Sequence, residues 1–390
     1  MAKIDRRTRH AALPVALTVA LLLSWTALPA IVGGGLWSPA VPIVAEAYAL
    51  EYLKLASAAA LFFAVALIGL QRGLCRSVAG WIVLFSGVLL IVTIAAWQFD
   101  FLGLWGFASD TGYHRFSATI GNPNAAGCFY GMIAIISVGY AMDRGIFRTT
   151  SARQVVVIGG ALMVAAGAFV FLLLSQSRSA FLLTMLALTI LVVTQVVASR
   201  ARDKMGLRSW SVLIVGILAL TLTLPLAAGA VLDRLSTADS DGIGRWLVWR
   251  HYSALAWNAP AYGYGLGSFF EFNQRHLDAS SALDFWNFGA AHNAALQFTL
   301  EAGWPALGLL VFAGTLVTIR TVPALIIHAD TLGIAIVLAI CLAIGCSCVD
   351  IALNVPGIAA FTAGLAGLCW GRSLRFRTSD QRDNGLASLS

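Results

Sequence analysis

Runs of about twenty apolar residues recur along the whole chain, and they constrain its fold more than any other feature. A helix of about 20 residues crosses the hydrocarbon core of a bilayer. Of the 390 residues, 59% are hydrophobic and only 11% are charged, whereas a soluble domain carries about 25% charged residues. Only helices satisfy every backbone group of such a run in lipid, because an open sheet leaves its edges unpaired. The sequence therefore predicts an all-α polytopic membrane protein with about ten helices, and with twelve at most.

The apolar runs define ten predicted spans in one membrane domain, residues 1–390. The spans are Ala11–Ile31, Tyr52–Leu70, Val78–Trp97, Ala125–Met142, Val155–Leu174, Ala180–Ala198, Ser211–Val231, Trp304–Ile319, Leu332–Val349 and Ala352–Trp370. The first run follows several basic residues, as a signal peptide does. It is too long for the apolar core of a signal peptide and contains Trp25, so we interpret it as a helix.

The basic residues predict the orientation of these helices. Of 25 lysines and arginines, 18 lie before the first span, after the second, fourth, sixth and eighth spans, and in the tail at 371–390. The positive-inside rule then places both termini and this tail in the cytoplasm. The net charge of +7 is thus explained by orientation and by contact with anionic membrane lipids. It does not indicate nucleic-acid binding.

The segment 232–291 interrupts the helical rhythm on the predicted outer side. It is rich in tryptophan and tyrosine, which favour the headgroup layer. Residues Arg245 to Trp257 predict a short amphipathic helix that ends before Pro260, and Gly263, Gly265 and Gly267 predict a turn after it. Long loops without a function are uncommon, so we expect a partly folded cap over the outer mouth of the bundle.

Three residues on the predicted outer face are candidates for chemistry. Arg178 lies in the short turn between the fifth and sixth spans, and Arg245 begins the short helix that also carries Arg250. The planar arginine side chain suits two phosphate oxygens, although it can equally reach lipid phosphates or stay solvated. His292, followed by Asn293, can accept a proton near neutral pH, or can simply be a polar residue at a helix end.

Further polar residues on this face are weaker candidates. Asn122 and Asn124 could bond to a sugar, but Asn124 is expected to be the N-cap of the fourth helix. Arg115, in the loop before that helix, could contact a glycan. Glu301 could orient part of the site, but nine residues of helix separate it from His292, so direct pairing is not expected.

An acidic pair at Asp239 and Asp241 matches the Asp-x-Asp pattern of metal-dependent sugar transferases. The same residues are common in turns. We expect no metal site there.

Four fragments in order resemble the O-antigen ligase and polymerase superfamily across residues 121–308. They are Gly-Asn-Pro-Asn at 121–124, Ser-Arg-Ser at 177–179, Arg245-x-x-x-Trp249 with the glycine-rich turn at 263–269, and Ala-His-Asn at 291–293 with Glu301-Ala302-Gly303 and Gly308. The ten predicted helices are fewer than the twelve usual for the ligases of this superfamily.

The resemblance implies a bacterial inner-membrane glycosyltransferase with a GT-C-like helical bundle and a periplasmic active site. Its donor would be a glycan on undecaprenyl diphosphate, and its acceptor lipid A–core or a growing glycan. It would invert the anomeric centre without a metal or another cofactor. Arg178 and Arg245 would hold the diphosphate, and His292 would act as the general base. The weaker substrate-binding candidates are Arg250, Asn122, Asn124, Asn293, Arg115 and Glu301.

Several alternatives remain open at this point. A ligase, a polysaccharide polymerase and a protein O-oligosaccharyltransferase would all need the same grip on the diphosphate and the same base. A secondary transporter or flippase is disfavoured, because transporters carry ionisable residues near the middle of the membrane or inverted repeats. The predicted spans here have almost no charge at their centres.

Overall fold

The computed structural model describes residues 6–32, 44–71, 73–99, 116–145, 151–200, 238–279 and 281–387, and this part of the chain is helical without strands. In chain order the helices are α1 (Arg6–Val32), α2 (Ala45–Gly69), α3 (Leu74–Phe99), α4 (Pro123–Asp143), α5 (Ala152–Leu174), α6 (Arg178–Arg200), α7 (Ala238–Trp257), α8 (Phe269–His276), α9 (Ala282–Phe285), α10 (Ala294–Ile327), α11 (Thr331–Val349) and α12 (Pro356–Ala387). Short 3-10 turns occupy Ala118–Ile120 and Ala352–Asn354.

Eight helices in the described part of the chain are long and apolar enough to cross a membrane, namely α1 to α6, α10 and α11. The predicted class, a polytopic helical membrane protein, is confirmed. The predicted span Ser211–Val231 lies outside the described residues. The last predicted span falls on α12, which begins later, at Pro356, and continues well past Trp370 into the predicted tail.

Helix α4 lies at the centre of the bundle, packed against α5, α6 and α11. Most of its residues are buried, and glycines let the neighbouring helices come close. A Cβ at Gly139 would collide with Ala335 of α11, and one at Gly127 would meet Ser177 in the turn before α6. Small residues at contacts of this kind allow close packing of helices in membranes.

Two ends of the bundle differ in their polar residues. At one end Arg76, at the start of α3, pairs with Asp143, at the end of α4, with an Nε–Oδ2 distance of 2.6 Å. Asp330 and Arg372 form a buried ion pair at the start of α11 and within α12. At the opposite side of the bundle lie the starts of α4 and α10 and the last turn of α11. There, Asn124 and His292 both contact Asp350.

Helices α7, α8 and α9 form a small core of their own. Val248, Tyr252 and Ala256 recur every four residues along α7 and are buried against Phe272 and Phe285. Tyr252 donates a hydrogen bond to the Asn273 side chain at 2.8 Å. The predicted helix is therefore present, but it begins at Ala238 rather than at Arg245.

The turn after α7 follows the sequence prediction. The helix ends before Pro260, and the three glycines at 263, 265 and 267 all have positive φ. Glycine is the residue that adopts this conformation without strain.

Candidate functional site

One buried carboxylate, Asp350, connects three of the residues predicted from the sequence. Its Oδ1 lies 3.3 Å from Nδ1 of His292, and its Oδ2 lies 3.7 Å from Nη2 of Arg245. Asn124 donates a hydrogen bond to Oδ2. Residues from three distant parts of the chain thus meet on a side chain that is 3% exposed.

The local fold holds Asp350 in place. Helix α11 ends at Val349, and Asp350 follows in an extended conformation before the 3-10 turn at Ala352–Asn354. The Ile351 amide donates to Oδ1 at 2.8 Å, and the Leu353 amide donates to the Ser347 hydroxyl at 2.9 Å. The carboxylate is therefore presented at a fixed position just beyond an apolar helix.

The charge state of Asp350 follows from these contacts. Burial raises the pKa of its carboxyl, but hydrogen bonds from His292, the Ile351 amide and Asn124 outweigh burial, and the net pKa lies below the ordinary value. A charged carboxylate at neutral pH therefore faces both Arg245 and His292.

His292 is held at its backbone as well as at its ring. Its φ is 50°, an uncommon value for a residue other than glycine. Trp249 donates its indole N–H to the His292 carbonyl at 3.3 Å. Asn293 caps α10 by accepting from the Leu296 amide at 3.0 Å, and it donates to the Cys348 carbonyl at 2.8 Å. The side chain is 38% exposed, so it is held in orientation while part of it remains accessible to solvent.

Arg245 offers more hydrogen-bond donors than its contact with Asp350 uses. Its side chain lies on α7 and is 43% exposed, and a guanidinium carries several N–H donors in a fixed plane. Arg250 lies five positions further on α7, which turns it by about 140° away from Arg245. Arg250 is exposed, and its side chain is not brought to the Asp350 cluster.

Arg178 is the first residue of α6 and follows the turn at 175–177. This turn lies against the first turn of α4, since a Cβ at Gly127 would be 2.8 Å from Cβ of Ser177. The Ser177 hydroxyl is buried without a hydrogen-bond partner among the described residues. The Arg178 turn and the Asn124 side chain are thus both positioned by the start of α4.

Residues 161–311 match the model of the O-Antigen ligase family. This match supports membership of the O-antigen ligase and polymerase superfamily. The chain is a multi-pass membrane protein, and the match over residues 161–311 supports a glycosyltransferase of that superfamily. A search of curated proteins gives no match to the chain.

The segment that matches the O-antigen ligase family covers roughly two fifths of the chain. It includes Arg178, Arg245 and His292, whereas Asn124 and Asp350 lie before and after it. The cluster around Asp350 therefore combines residues inside and outside the matched segment.

The expected N-cap of α4 was wrong by two positions. Asn122, not Asn124, accepts the hydrogen bond from the Ala125 amide, at 2.9 Å, and has the extended backbone of an N-cap residue. Pro123 then occupies the first helical position, which suits its fixed φ. Asn124 lies in the first turn of α4, and its side chain contacts Asp350.

Glu301 is buried and contacts Gln297 rather than His292. The side-chain amide of Gln297 donates to Oε1 of Glu301 at 3.0 Å, and the backbone amide of Gly267 donates to Oε2 at 3.1 Å. Gln297 also accepts from the Ala291 amide at 3.3 Å and from Asn354 at 2.7 Å. Glu301 therefore supports the residues beside His292 through Gln297.

Other sequence candidates lie outside what the structure describes. Arg115 is not among the described residues. Asp239 and Asp241 fall within the first turns of α7, and their side chains are outside the described part.

Asp350 is the residue that sequence reasoning missed. It stands directly after an apolar span and far from its partners in the sequence, 58 residues beyond His292. The available signal was an acidic side chain at the membrane boundary, on the same predicted face as Arg245 and His292.

Proposed function

We propose that this glycosyltransferase moves a glycan from undecaprenyl diphosphate to an acceptor hydroxyl, as a ligase-like enzyme at the periplasmic face of the bacterial inner membrane. The observation that carries the proposal is the contact of His292 and Arg245 with one buried carboxylate, Asp350. A proton acceptor and a cation are thereby held within one small cluster.

His292 would act as the general base. A carboxylate at Nδ1 favours the tautomer that carries its proton there, and this leaves Nε2 to accept a proton. The acceptor hydroxyl would give its proton to Nε2 while its oxygen forms a bond to the anomeric carbon. Asp350 would stabilise the imidazolium that results, because the carboxylate remains charged at neutral pH.

Arg245 and Arg178 would stabilise the leaving group. As the bond between the anomeric carbon and the phosphate oxygen breaks, its electron pair stays on the diphosphate. Cations that are already in position stabilise the charge that develops on the diphosphate. Attack from the face opposite the diphosphate would invert the anomeric centre. Proton acceptance by a side chain and charge stabilisation by arginine together require no metal or other cofactor in this scheme.

The remaining polar residues would support the substrate or the site. Asn124 and Asn293 would act by holding Asp350 and the start of α10, because both side chains already bond to the protein. The lipid tail of the donor would lie among membrane lipids beside the bundle. Arg250 and Arg115 are proposed only as glycan contacts.

The test is a gel of surface and carrier-linked glycans from a host lacking this gene, complemented with wild type, His292→Ala or His328→Ala. His328 lies at the other end of α10 and stacks on Phe376, which makes it a matched control. We expect wild type and His328→Ala to restore the glycan pattern. His292→Ala should be inserted and abundant but inactive.

The pattern in the deletion strain distinguishes the acceptors. Long chains retained on the carrier, with none on lipid A–core, would support a ligase. Single repeats in place of a ladder would point to the alternative, a polysaccharide polymerase of the same superfamily. Unchanged surface glycans together with unchanged carrier-linked glycans would contradict both the ligase and the polymerase. Protein O-glycosylation and transport would then remain as alternatives.

A further inference from the structure

An open groove of about 270 Å³ lies beside His292, between α9 and the start of α10. Apart from His292, it is lined by Leu283, Asp284, Trp286, Asn287, Phe288 and Gly289. We propose that this groove binds one neutral sugar ring of the acceptor and presents its hydroxyl to His292. The assignment to the acceptor rests on the proposed function, whereas the binding of a sugar does not.

The lining of the groove matches the two kinds of surface on a sugar ring. Trp286 is 60% exposed and supplies an apolar aromatic face for the C–H face of a pyranose. Asp284 and Asn287 are exposed on the same short segment and can bond to hydroxyls. A few polar groups beside an apolar surface are typical of small-molecule sites.

The charge of the groove favours the acceptor sugar over the diphosphate of the donor. Among the described residues that line it there is no lysine or arginine, and Asp284 is acidic. A diphosphate would be repelled there, whereas a neutral hydroxylated ring would not. Arg245 and Asp350 do not line the groove. His292 therefore stands between the ion pair of Arg245 and Asp350 and a region suited to an uncharged sugar.

The exposed position of Trp286 is maintained by contacts beneath it. Asn273 donates to the Phe285 carbonyl at 2.8 Å, and Gln274 donates to the Trp286 carbonyl at 2.6 Å. The Phe285 ring is buried and stacks on His251 at 4.5 Å. The backbone that carries Trp286 is thus anchored while its indole stays at the surface, as a stacking platform requires.

The size of the groove limits its occupant. Pockets for drug-sized ligands have volumes of about 300–1,000 Å³, and the groove is slightly smaller than that range. It fits one sugar ring, with the rest of the glycan outside. An acceptor bound by its sugar is a glycan or a glycolipid, not a serine or threonine of a protein.

The test uses the full-length protein in lipid nanodiscs and saturation-transfer NMR with three probes, the methyl glycosides of glucose, galactose and mannose. Trp286→Ala is compared with Trp257→Ala, which removes another exposed tryptophan, on α7 and outside the groove. We expect at least one probe to bind wild type and Trp257→Ala, and its signal to fall roughly tenfold with Trp286→Ala, because the stacking contribution is lost. Equal signals from Trp286→Ala and wild type, or no signal from any probe on wild type, would overturn the proposal.

A second variant separates this proposal from the proposed function. Arg245→Ala should keep the probe signal, because Arg245 does not line the groove, and should lose glycan transfer. Probe binding that depends on Trp286, together with unimpaired transfer by Arg245→Ala, would leave the sugar site standing and remove the proposed mechanism. An unchanged KM for the acceptor in Trp286→Ala, with transfer still lost in Arg245→Ala, would overturn the assignment of the groove to the acceptor and leave the proposed mechanism standing.

Discussion

At the scale of single residues, a buried carboxylate at the end of an apolar helix costs free energy unless it is paired. Asp350 meets this condition through His292, Arg245, Asn124 and the Ile351 amide. Because these contacts lower its pKa in the folded protein, folding favours the charged form. This charged form contributes fully to stability when the pH is above the pKa that the Asp350 carboxyl has in the unfolded chain. The contribution is lost as the pH falls through the lower pKa that this carboxyl has in the folded protein.

We therefore expect Asp350→Asn to lower the melting temperature at pH 7, and the difference from wild type to shrink as the pH falls below about 4. Melting of the purified protein in detergent between pH 7 and pH 3 measures this. Glu271→Gln is the control, because Glu271 belongs to an exposed ion pair with Arg275, and such pairs contribute little. A difference for Asp350→Asn that stays constant down to pH 3 would contradict the assigned charge state.

At the scale of the helices, α10 depends on a break at Gly303, where φ is 83°. Pro305 has no N–H to donate to the Glu301 carbonyl. The non-helical backbone at Gly303 also interrupts the hydrogen bond that the Leu300 carbonyl would accept from the amide four residues later in a regular helix. The amides of Tyr264 and Gly265 fill these positions, at 2.8 and 2.9 Å. The glycine-rich turn after α7 is thereby hydrogen-bonded to the Leu300 and Glu301 carbonyls of α10, eight and nine residues after His292.

Gly303→Ala should destabilise this junction, because a Cβ there would collide with the Ala261 carbonyl and the positive φ is unfavourable for alanine. The conformational strain alone is worth about 1–3 kcal/mol. Gly308→Ala in the same helix should have little effect, since a Cβ there meets nothing within 4 Å. Melting temperature and yield of folded protein measure both variants, and equal behaviour of the two would show that the junction does not need glycine.

Local sequence predicted the helices better than it predicted the contacts between them. Apolar runs located the spans that the structure describes, and the predicted start at Trp304 coincides with the kink at Gly303, where the backbone of α10 leaves the helical conformation. The sequence did not predict the helical turns from Ala294 to Ala302 that precede this kink. Asn122 and Asn124 are too close for propensity to separate a cap from a site residue. The sequence did not predict a role for Asp350, because its partners lie far away in the sequence and a long-range contact leaves no local pattern.

At the scale of the whole molecule, the end of the bundle opposite the Asp350 cluster is held by a buried ion pair. Arg372 donates to Asp330 from two nitrogens, and the Nη2 bond measures 2.8 Å. Asp330 also caps α11 by accepting from the Gly333 amide at 3.3 Å. The sequence placed Arg372 in the tail as an orientation signal, whereas the side chain is buried within α12.

Arg372→Met should lower stability by about 3–5 kcal/mol, because it leaves a buried carboxylate unpaired. The double variant with Asp330→Asn should recover part of this loss. Arg375→Met is the control, since Arg375 donates to the Gln71 carbonyl at an exposed position. Melting temperatures of the wild type and the three variants measure this order of stability. Arg372→Met that is no less stable than Arg375→Met would contradict the prediction. The transfer rate per folded molecule should be unchanged, because the pair lies far from Asp350.

We propose that His292, oriented by Asp350, removes the proton from the acceptor hydroxyl. The most direct measurement is the rate of glycan transfer by purified protein with carrier-linked glycan and acceptor, in the presence of a chelator. We expect wild type to be active, His292→Ala to be slower by about 10²–10⁴-fold, and Asp350→Asn to be slower by at least about tenfold. A folded His292→Ala protein that transfers glycan at the wild-type rate would contradict the claim.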